Sequence, residues 1–195
     1  MQGKRARAAI PFNLRGRELI GYGKHRVVVR VSDKLALKAD STSNRIRKGG
    51  NKFEWDNYQR YFKDIPMEMR PFFVVLSRRR VSKGKQFHHT RLVRNHDGSL
   101  AKTVQQSQKI SNVHFWKMFD RVVSWLLQNN IPYFELRPKN VMVKWISPAT
   151  AIPVIIDYEK VGARTYPSRP WLRIPFFARL KLRRMARKII AAHQG

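Results

Sequence analysis

The chain has 195 residues, with 41 Lys and Arg against 12 Asp and Glu, a formal net charge of +29. An apolar share of 43% and an aromatic share of 11% supply a core, which excludes global disorder despite the charge. The absence of cysteine removes disulfides, thiolate metal sites and cysteine nucleophiles, and no apolar run reaches the ~18–20 residues that a membrane-spanning helix needs.

So large a positive excess disfavours a compact state through self-repulsion, and polyanions relieve it. Nucleic acid, an anionic membrane surface and phosphorylated ligands all qualify. The N-terminal stretch MQGKRARAAIPFNLRGREL carries bases but no uninterrupted apolar segment. It therefore reads as a basic arm over 1–16 rather than a secretory signal, and the expected location is the cytoplasm.

Glu18-Leu19-Ile20 leads as a strand into Gly21-Tyr22-Gly23, and the β-branched run Arg26–Val31 makes the next. Asp33-Lys34 is a turn, after which Leu35–Lys38 alternates as a third strand. Ser41–Asn51 is polar and reads as a loop. Phe53, Trp55, Tyr58, Tyr61 and Phe62 place aromatics at helical spacing over Phe53–Phe62. Phe72–Leu76 and Thr90–Val93 read as strands joined by a basic turn at Ser82–Lys85. Asn95–Gly98 is another turn.

Phe115, Met118, Phe119, Val122, Val123, Leu126 and Leu127 recur at i, i+3, i+4, i+7, i+8, i+11 and i+12, which predicts a helix over Phe115–Leu127. Val141–Ile146 and Pro153–Ile156 form a hairpin around Pro148. Prolines 167, 170 and 175 break a linker. Phe176–Ala192 is a basic amphipathic helix. The order is α+β, with residues 17–97 as one part and 98–195 as the other.

Glu135-Leu136-Arg137-Pro138-Lys139-Asn140, followed by an apolar run, sets an acid, a base and an amide in one tight loop. The hairpin that follows ends at Asp157. Phosphoryl transfer needs a carboxylate to orient an alcohol, a cation near the moving phosphate and oxygen ligands for Mg²⁺. These four residues supply that set. In so basic a chain, the acids could equally be salt-bridged to neighbouring bases. The six histidines, His88-His89 among them, show no metal-ligand spacing and read as exposed.

Glu135–Met142 resembles the protein-kinase catalytic loop Asp-Leu-Lys-Pro-x-Asn-Ile-Leu. Asp157-Tyr158-Glu159 falls where the metal-binding Asp-Phe-Gly would lie. Gly21-Tyr22-Gly23 resembles a shortened Gly-rich loop. Leu35-Ala36-Leu37-Lys38 resembles the strand ending in the ATP-binding lysine, and Glu54 stands where that lysine's partner is expected. From about Leu19 to about Ile190 the chain resembles the YrbL family, bacterial proteins of the protein-kinase-like fold. Gly-x-Gly-x-His-Arg, the Asp97-Gly98 turn, Ile152–Ile155 and the basic final helix carry that likeness.

The resemblance implies a small bilobal protein-kinase-like fold. It would have an N-terminal antiparallel sheet plus helix and a reduced, mostly helical C-lobe. It further implies an ATP- and Mg²⁺-dependent phosphotransferase acting on an alcohol: a sugar, a lipid-linked glycan or a protein side chain. Lys38 would hold the α/β-phosphates and Glu54 would fix Lys38. Glu135 would orient the acceptor hydroxyl, with Arg137 near the γ-phosphate. Asn140 and Asp157 would bind Mg²⁺, and Gly21 and Gly23 would admit the phosphates closely.

The pattern also departs from the kinase one. Glu135 in place of Asp adds a methylene, displacing the carboxylate by roughly 1–1.5 Å, and a misplacement of about 1 Å can cost on the order of a hundredfold in rate. Tyr133-Phe134 replace His-Arg, Arg137 replaces Lys with different donor geometry, and Tyr158-Glu159 replace Phe-Gly. The alternative is a catalytically degenerate scaffold that uses its basic face on nucleic acid or an anionic membrane surface. Nucleic acid is the less favoured of these, because the aromatics are placed for packing rather than base stacking. In the tail, bases interleave with Trp171, Leu172, Ile174, Phe176, Phe177, Leu180, Leu182, Met185, Ile189 and Ile190. The preferred reading has its apolar face complete the C-lobe, with the bases steering the protein to an anionic acceptor. The other has an interfacial helix at the inner face of the membrane.

Overall fold

In a computed structural model of the chain, residues 14, 16–22, 26–40, 50–82, 85–129, 131, 134–161 and 170–195 are described. Gly23, Tyr133, most of the 1–16 arm, the 41–49 loop and the Pro167 linker lie outside them. The chain divides into two compact units. One comprises residues up to Asp56 with Val75–Leu92, the other Asn57–Val74 with Val93–Gly195.

The first unit is a five-stranded antiparallel sheet in the order β1-β2-β3-β5-β4. Its strands are β1 (Leu19–Tyr22), β2 (Arg26–Arg30), β3 (Leu35–Asp40), β4 (Leu76–Ser82) and β5 (Lys85–Arg91). Alternation decides which face is buried. Val27, Val29 and Ala39 point inward with Leu14 and Phe87, and Leu37 packs against them. The β1 register slips between Leu19 and Gly21, a bulge at Ile20. A second bulge in β4 lies at Arg78, whose φ is 47°.

Helix α1 (Gly50–Tyr61) starts three residues ahead of the expected Phe53. The boundary between the units falls within it, after Asp56. Residues 57–74 therefore belong with the second unit, not with 17–97 as the sequence suggested. The physical reason is aromatic packing. The Phe62 ring stacks on Tyr158 at 4.6 Å and packs on Phe73 at 5.3 Å and Phe134 at 5.9 Å, and Phe73 meets Trp125 at 5.4 Å. Residues 93–97 join the second unit through the Trp145 N–H donated to Asn95 Oδ1 at 3.0 Å and the His96 N–H donated to the Trp145 carbonyl at 2.8 Å.

A strand was expected over Phe72–Leu76. Instead Met67–Phe72 is a 3-10 turn containing Pro71, and β4 begins only at Leu76. Proline removes a ladder donor and fixes φ, which favours the turn. The expected strand over Thr90–Val93 lies earlier, as β5.

The rest of the second unit comprises β6 (Lys102–Thr103), α2 (Val104–Ser107), α3 (Val113–Gln128), a 3-10 turn Pro138–Asn140, β7 (Val141–Ser147), β8 (Thr150–Ile155), a 3-10 turn Pro170–Arg173 and α4 (Pro175–His193). Strands pair in the order β6-β7-β8. Asn112 caps α3, its Oδ1 accepting the Phe115 N–H at 2.9 Å. Phe115, Phe119, Val122 and Leu126 are fully buried on the face of α3 that packs on β8. Leu172 packs with Ala178 and Met185, and Leu182 and Ile189 are buried, as expected of the tail, but Trp171, Ile174, Phe176, Phe177 and Leu180 are exposed.

Candidate functional site

Lys38 and Glu54 meet in the first unit. Lys38 lies on the face of β3 opposite Leu37 and Ala39, 8% exposed, and Glu54 on α1 is fully buried. Lys38 Nζ donates to Glu54 Oε1 at 2.5 Å, so neither residue is the solvated surface group that its type alone suggests. Arg26, at the start of β2, donates to the other oxygen, Oε2. Asn51, one turn earlier on α1, ties the helix to the sheet by donating from Nδ2 to the Gln86 carbonyl at 2.7 Å.

His88 pairs with Lys38 across the β3–β5 ladder and is fully buried, correcting the expectation of an exposed histidine. Its Nε2 lies 3.4 Å from Glu54 Oε2, outside hydrogen-bond geometry, and among the described residues neither ring nitrogen has a hydrogen-bond partner. Burial pushes the imidazole below its usual range, against the pull of Glu54. Burial alone would raise the Glu54 carboxyl. Lys38 and then Arg26 overcome that and hold it well below the usual carboxylate range. The carboxylate is thus charged at neutral pH, and its ion pair holds Lys38 in place on the sheet.

The second unit gathers Glu135, Arg137, Asn140 and Asp157. Glu135 is 9% exposed. Its Oε1 accepts from Arg137 Nη2 at 2.6 Å and its Oε2 from Lys160 Nζ at 2.9 Å. Its backbone N–H donates to the Lys160 carbonyl at 3.1 Å, which fixes the loop locally. Pro138 opens the 3-10 turn, where a missing N–H costs nothing. The turn closes with the Asn140 N–H donated to the Arg137 carbonyl at 2.8 Å.

The hairpin then returns the chain. Val141 pairs with Ile155, and the Asn140 carbonyl accepts the Ile156 N–H at 3.1 Å. Asn140 and Asp157 therefore lie at the same end of the β7–β8 ladder. One Asp157 oxygen accepts the Glu159 N–H at 2.9 Å. A carboxylate and an amide oxygen at one strand exit fit Mg²⁺, which prefers few protein oxygens and completes its shell with phosphate and water. Among the described residues, no group of three or more His, Asp or Glu forms a metal cluster.

The segment after Asp157 is pinned. Tyr158 is fully buried, and its hydroxyl donates to the Val74 carbonyl at 2.7 Å. Asn57 Nδ2 donates to the Tyr158 and Glu159 carbonyls at 2.7 and 3.2 Å. Gly21 faces Val28, and a Cβ built on it would meet that side chain at 3.7 Å, an ordinary contact. Packing within its unit does not require glycine there.

Lys160 was not singled out from sequence, Arg26 entered only through the Gly-x-Gly-x-His-Arg run, and His88 was read only as an exposed histidine.

No family model matches the chain, and no curated protein matches it. Solved structures do. A medium-resolution structure of the bifunctional kinase-methyltransferase WbdD is 13% identical with a TM-score of 0.52, covering 85% of this chain and 35% of that one. A structure of monomeric WbdD is 15% identical with a TM-score of 0.52, covering 81% of this chain and 37% of the other. This chain thus spans little more than a third of the WbdD chains it matches. At such identity the likeness establishes the fold alone: the chain has a small α+β, kinase-like scaffold.

Proposed function

We propose that this chain is an ATP- and Mg²⁺-dependent phosphotransferase acting on an alcohol acceptor, and that it is a YrbL-like protein. The observation that carries the proposal is the buried Lys38–Glu54 pair, with Nζ to Oε1 at 2.5 Å, on a kinase-like scaffold. Burying such a pair is expensive unless both charges are well satisfied. Its retention is in keeping with a lysine held ready for phosphate oxygens.

In this reading Lys38 binds the α/β-phosphates and Glu54, steadied by Arg26, sets its position. Gly21 and Gly23 give backbone access to the phosphates. Asn140 and Asp157 would hold the metal, which would supply charge neutralisation to the transferring phosphate. Glu135 exchanges its Arg137 partner for the acceptor hydroxyl and orients it for in-line attack. Arg137, released, turns toward the γ-phosphate. The bifunctional kinase-methyltransferase among its structural neighbours supports the phosphotransfer class.

One observation favours the scaffold alternative. Both Glu135 oxygens already bind cations, at 2.6 and 2.9 Å, which opposes a base role until one cation moves. Asp157→Asn decides between the two. We expect Mg²⁺-dependent ATP turnover to fall by at least about a hundredfold with the fold intact. Unchanged turnover in that variant would reject the role given to Asp157. ATP binding without turnover, indifferent to Mg²⁺, would favour the scaffold.

A further inference from the structure

Helix α4 buries an unusually small face. Ala178, Leu182, Ala186 and Ile189, at i, i+4, i+8 and i+11, turn inward. The large apolar side chains are elsewhere. Phe176 is 67% exposed and Leu180 54%, while Trp171 and Ile174 on the preceding turn are each 50% exposed. Phe176 and Phe177 pack edge-to-face at 5.4 Å on this surface. A patch of that kind is unusual on a surface with no partner.

The next turns of the same outward face carry charge. Leu180, Arg183, Arg184, Arg187, Lys188 and Ala191 line an open furrow whose lining is mostly apolar and includes four bases. These positions repeat at helical spacing from Phe176, so the aromatic end and the basic furrow share one side of α4. No acid occurs anywhere from Lys160 to Gly195. None of the four furrow bases pairs with an acid among the described residues.

We propose that this face of α4 docks the protein on an anionic phospholipid bilayer. Trp171, Ile174, Phe176, Phe177 and Leu180 enter the headgroup boundary, and Arg183, Arg184, Arg187 and Lys188 take the lipid phosphates. Charge complementarity selects the occupant. Aromatic rings at one end and a basic stripe behind them match the layered chemistry of the interface, where an apolar zone lies beneath an anionic one. A nucleic-acid duplex would engage the bases but give the exposed Phe and Leu side chains nothing apolar to enter. Among the described residues, no helix is long and apolar enough to cross a membrane.

Flotation with vesicles tests this without nucleotide, so its outcome is independent of the phosphotransfer proposal. The probes are phosphatidylcholine vesicles and the same vesicles with a minority of phosphatidylglycerol, at physiological salt. Two double variants, Phe176→Ser with Leu180→Ser and Arg183→Ala with Arg187→Ala, change only exposed side chains, and circular dichroism checks their fold. The wild type is expected to float with the anionic vesicles and not with the neutral ones. The apolar pair should weaken binding at least about tenfold, and the arginine pair about fivefold per base removed. Three outcomes would overturn the proposal: no flotation with anionic vesicles, equal flotation with both lipids, or indifference to Phe176 and Leu180. Tighter binding to duplex DNA or RNA than to vesicles would also overturn it, and so would a dimer that the apolar pair dissolves in a protein that ignores vesicles.

Discussion

Glu54 and Glu135 are each bound by two cations, yet the two clusters are built for opposite ends. Glu54 is fully shielded, and its partners Lys38 and Arg26 have side chains only 10% and 15% exposed. The Glu135 side chain is 10% exposed, but Arg137 is 46% exposed and Lys160 26%. Coulomb energy falls as water approaches, so the same pairing is strong in one place and easily exchanged in the other. A fixed lysine needs the first kind of environment. In the proposed reaction, a carboxylate that trades a partner for a substrate hydroxyl would need the second. Composition alone hides this contrast, since both are acids beside bases.

The largest test of the comparison is removal of each carboxylate. Glu54→Ala leaves Lys38 and Arg26 buried without their counter-ion and is expected to cost about 3–5 kcal/mol in urea unfolding. Glu135→Ala should cost at most about 1 kcal/mol, because solvent screens Arg137 and Lys160, while removing acceptor phosphorylation. Equal destabilisation by the two would erase the distinction.

The pH dependence of stability comes next. The folded His88 holds its proton less tightly than an ordinary histidine, because burial disfavours its charged form more than the Glu54 carboxylate beside it favours it. Below about pH 6.5 the unfolded chain therefore binds more protons here than the folded one, and stability falls as pH drops from that point toward the lower folded value. The slope from this residue is at most about 1.4 kcal/mol per pH unit. Glu54, with a depressed folded value, adds a second loss only at still lower pH, below the ordinary carboxylate range. Unfolding curves for the wild type and His88→Leu, taken from neutral to mildly acid pH, should diverge in slope over the histidine window. Parallel curves would show that His88 titrates normally.

The smallest expected effect on stability is at Gly21. A Cβ there meets Val28 at 3.7 Å, so Gly21→Ala should shift stability by no more than about 0.5 kcal/mol. If the backbone approaches phosphate at this point, the variant should nevertheless bind ATP several-fold more weakly by calorimetry. Unchanged affinity would mean that the glycine is a strand residue and nothing more.

Much of this was legible in the chain because local pattern and tertiary role agree. The α3 stripe, the β-branched run of β2 and the β7–β8 hairpin follow from periodicity alone. The β4 start was missed because Phe72–Leu76 has strand composition, while Pro66 and Pro71 turn the backbone before it can pair. Strand β6 is two residues long and α2 four, too short to leave a periodic signal. The Lys38–Glu54 pair was legible only through its likeness to kinases. Arg26 reaches Glu54 across 28 positions, a contact no window reveals. The burial of His88 was invisible for a similar reason. Its residue type favours the surface, and only its register opposite Lys38 places it inside.

The most direct measurement is a thermal-shift titration with ATP, with and without Mg²⁺, on the wild type, Lys38→Met and Asp157→Asn. Selective binding to the folded state raises the melting temperature with ligand concentration. A Mg²⁺-dependent rise in the wild type, smaller in Lys38→Met and lost in Asp157→Asn, is the predicted result. No rise at millimolar ATP in the wild type, or the same rise in all three proteins, would contradict it.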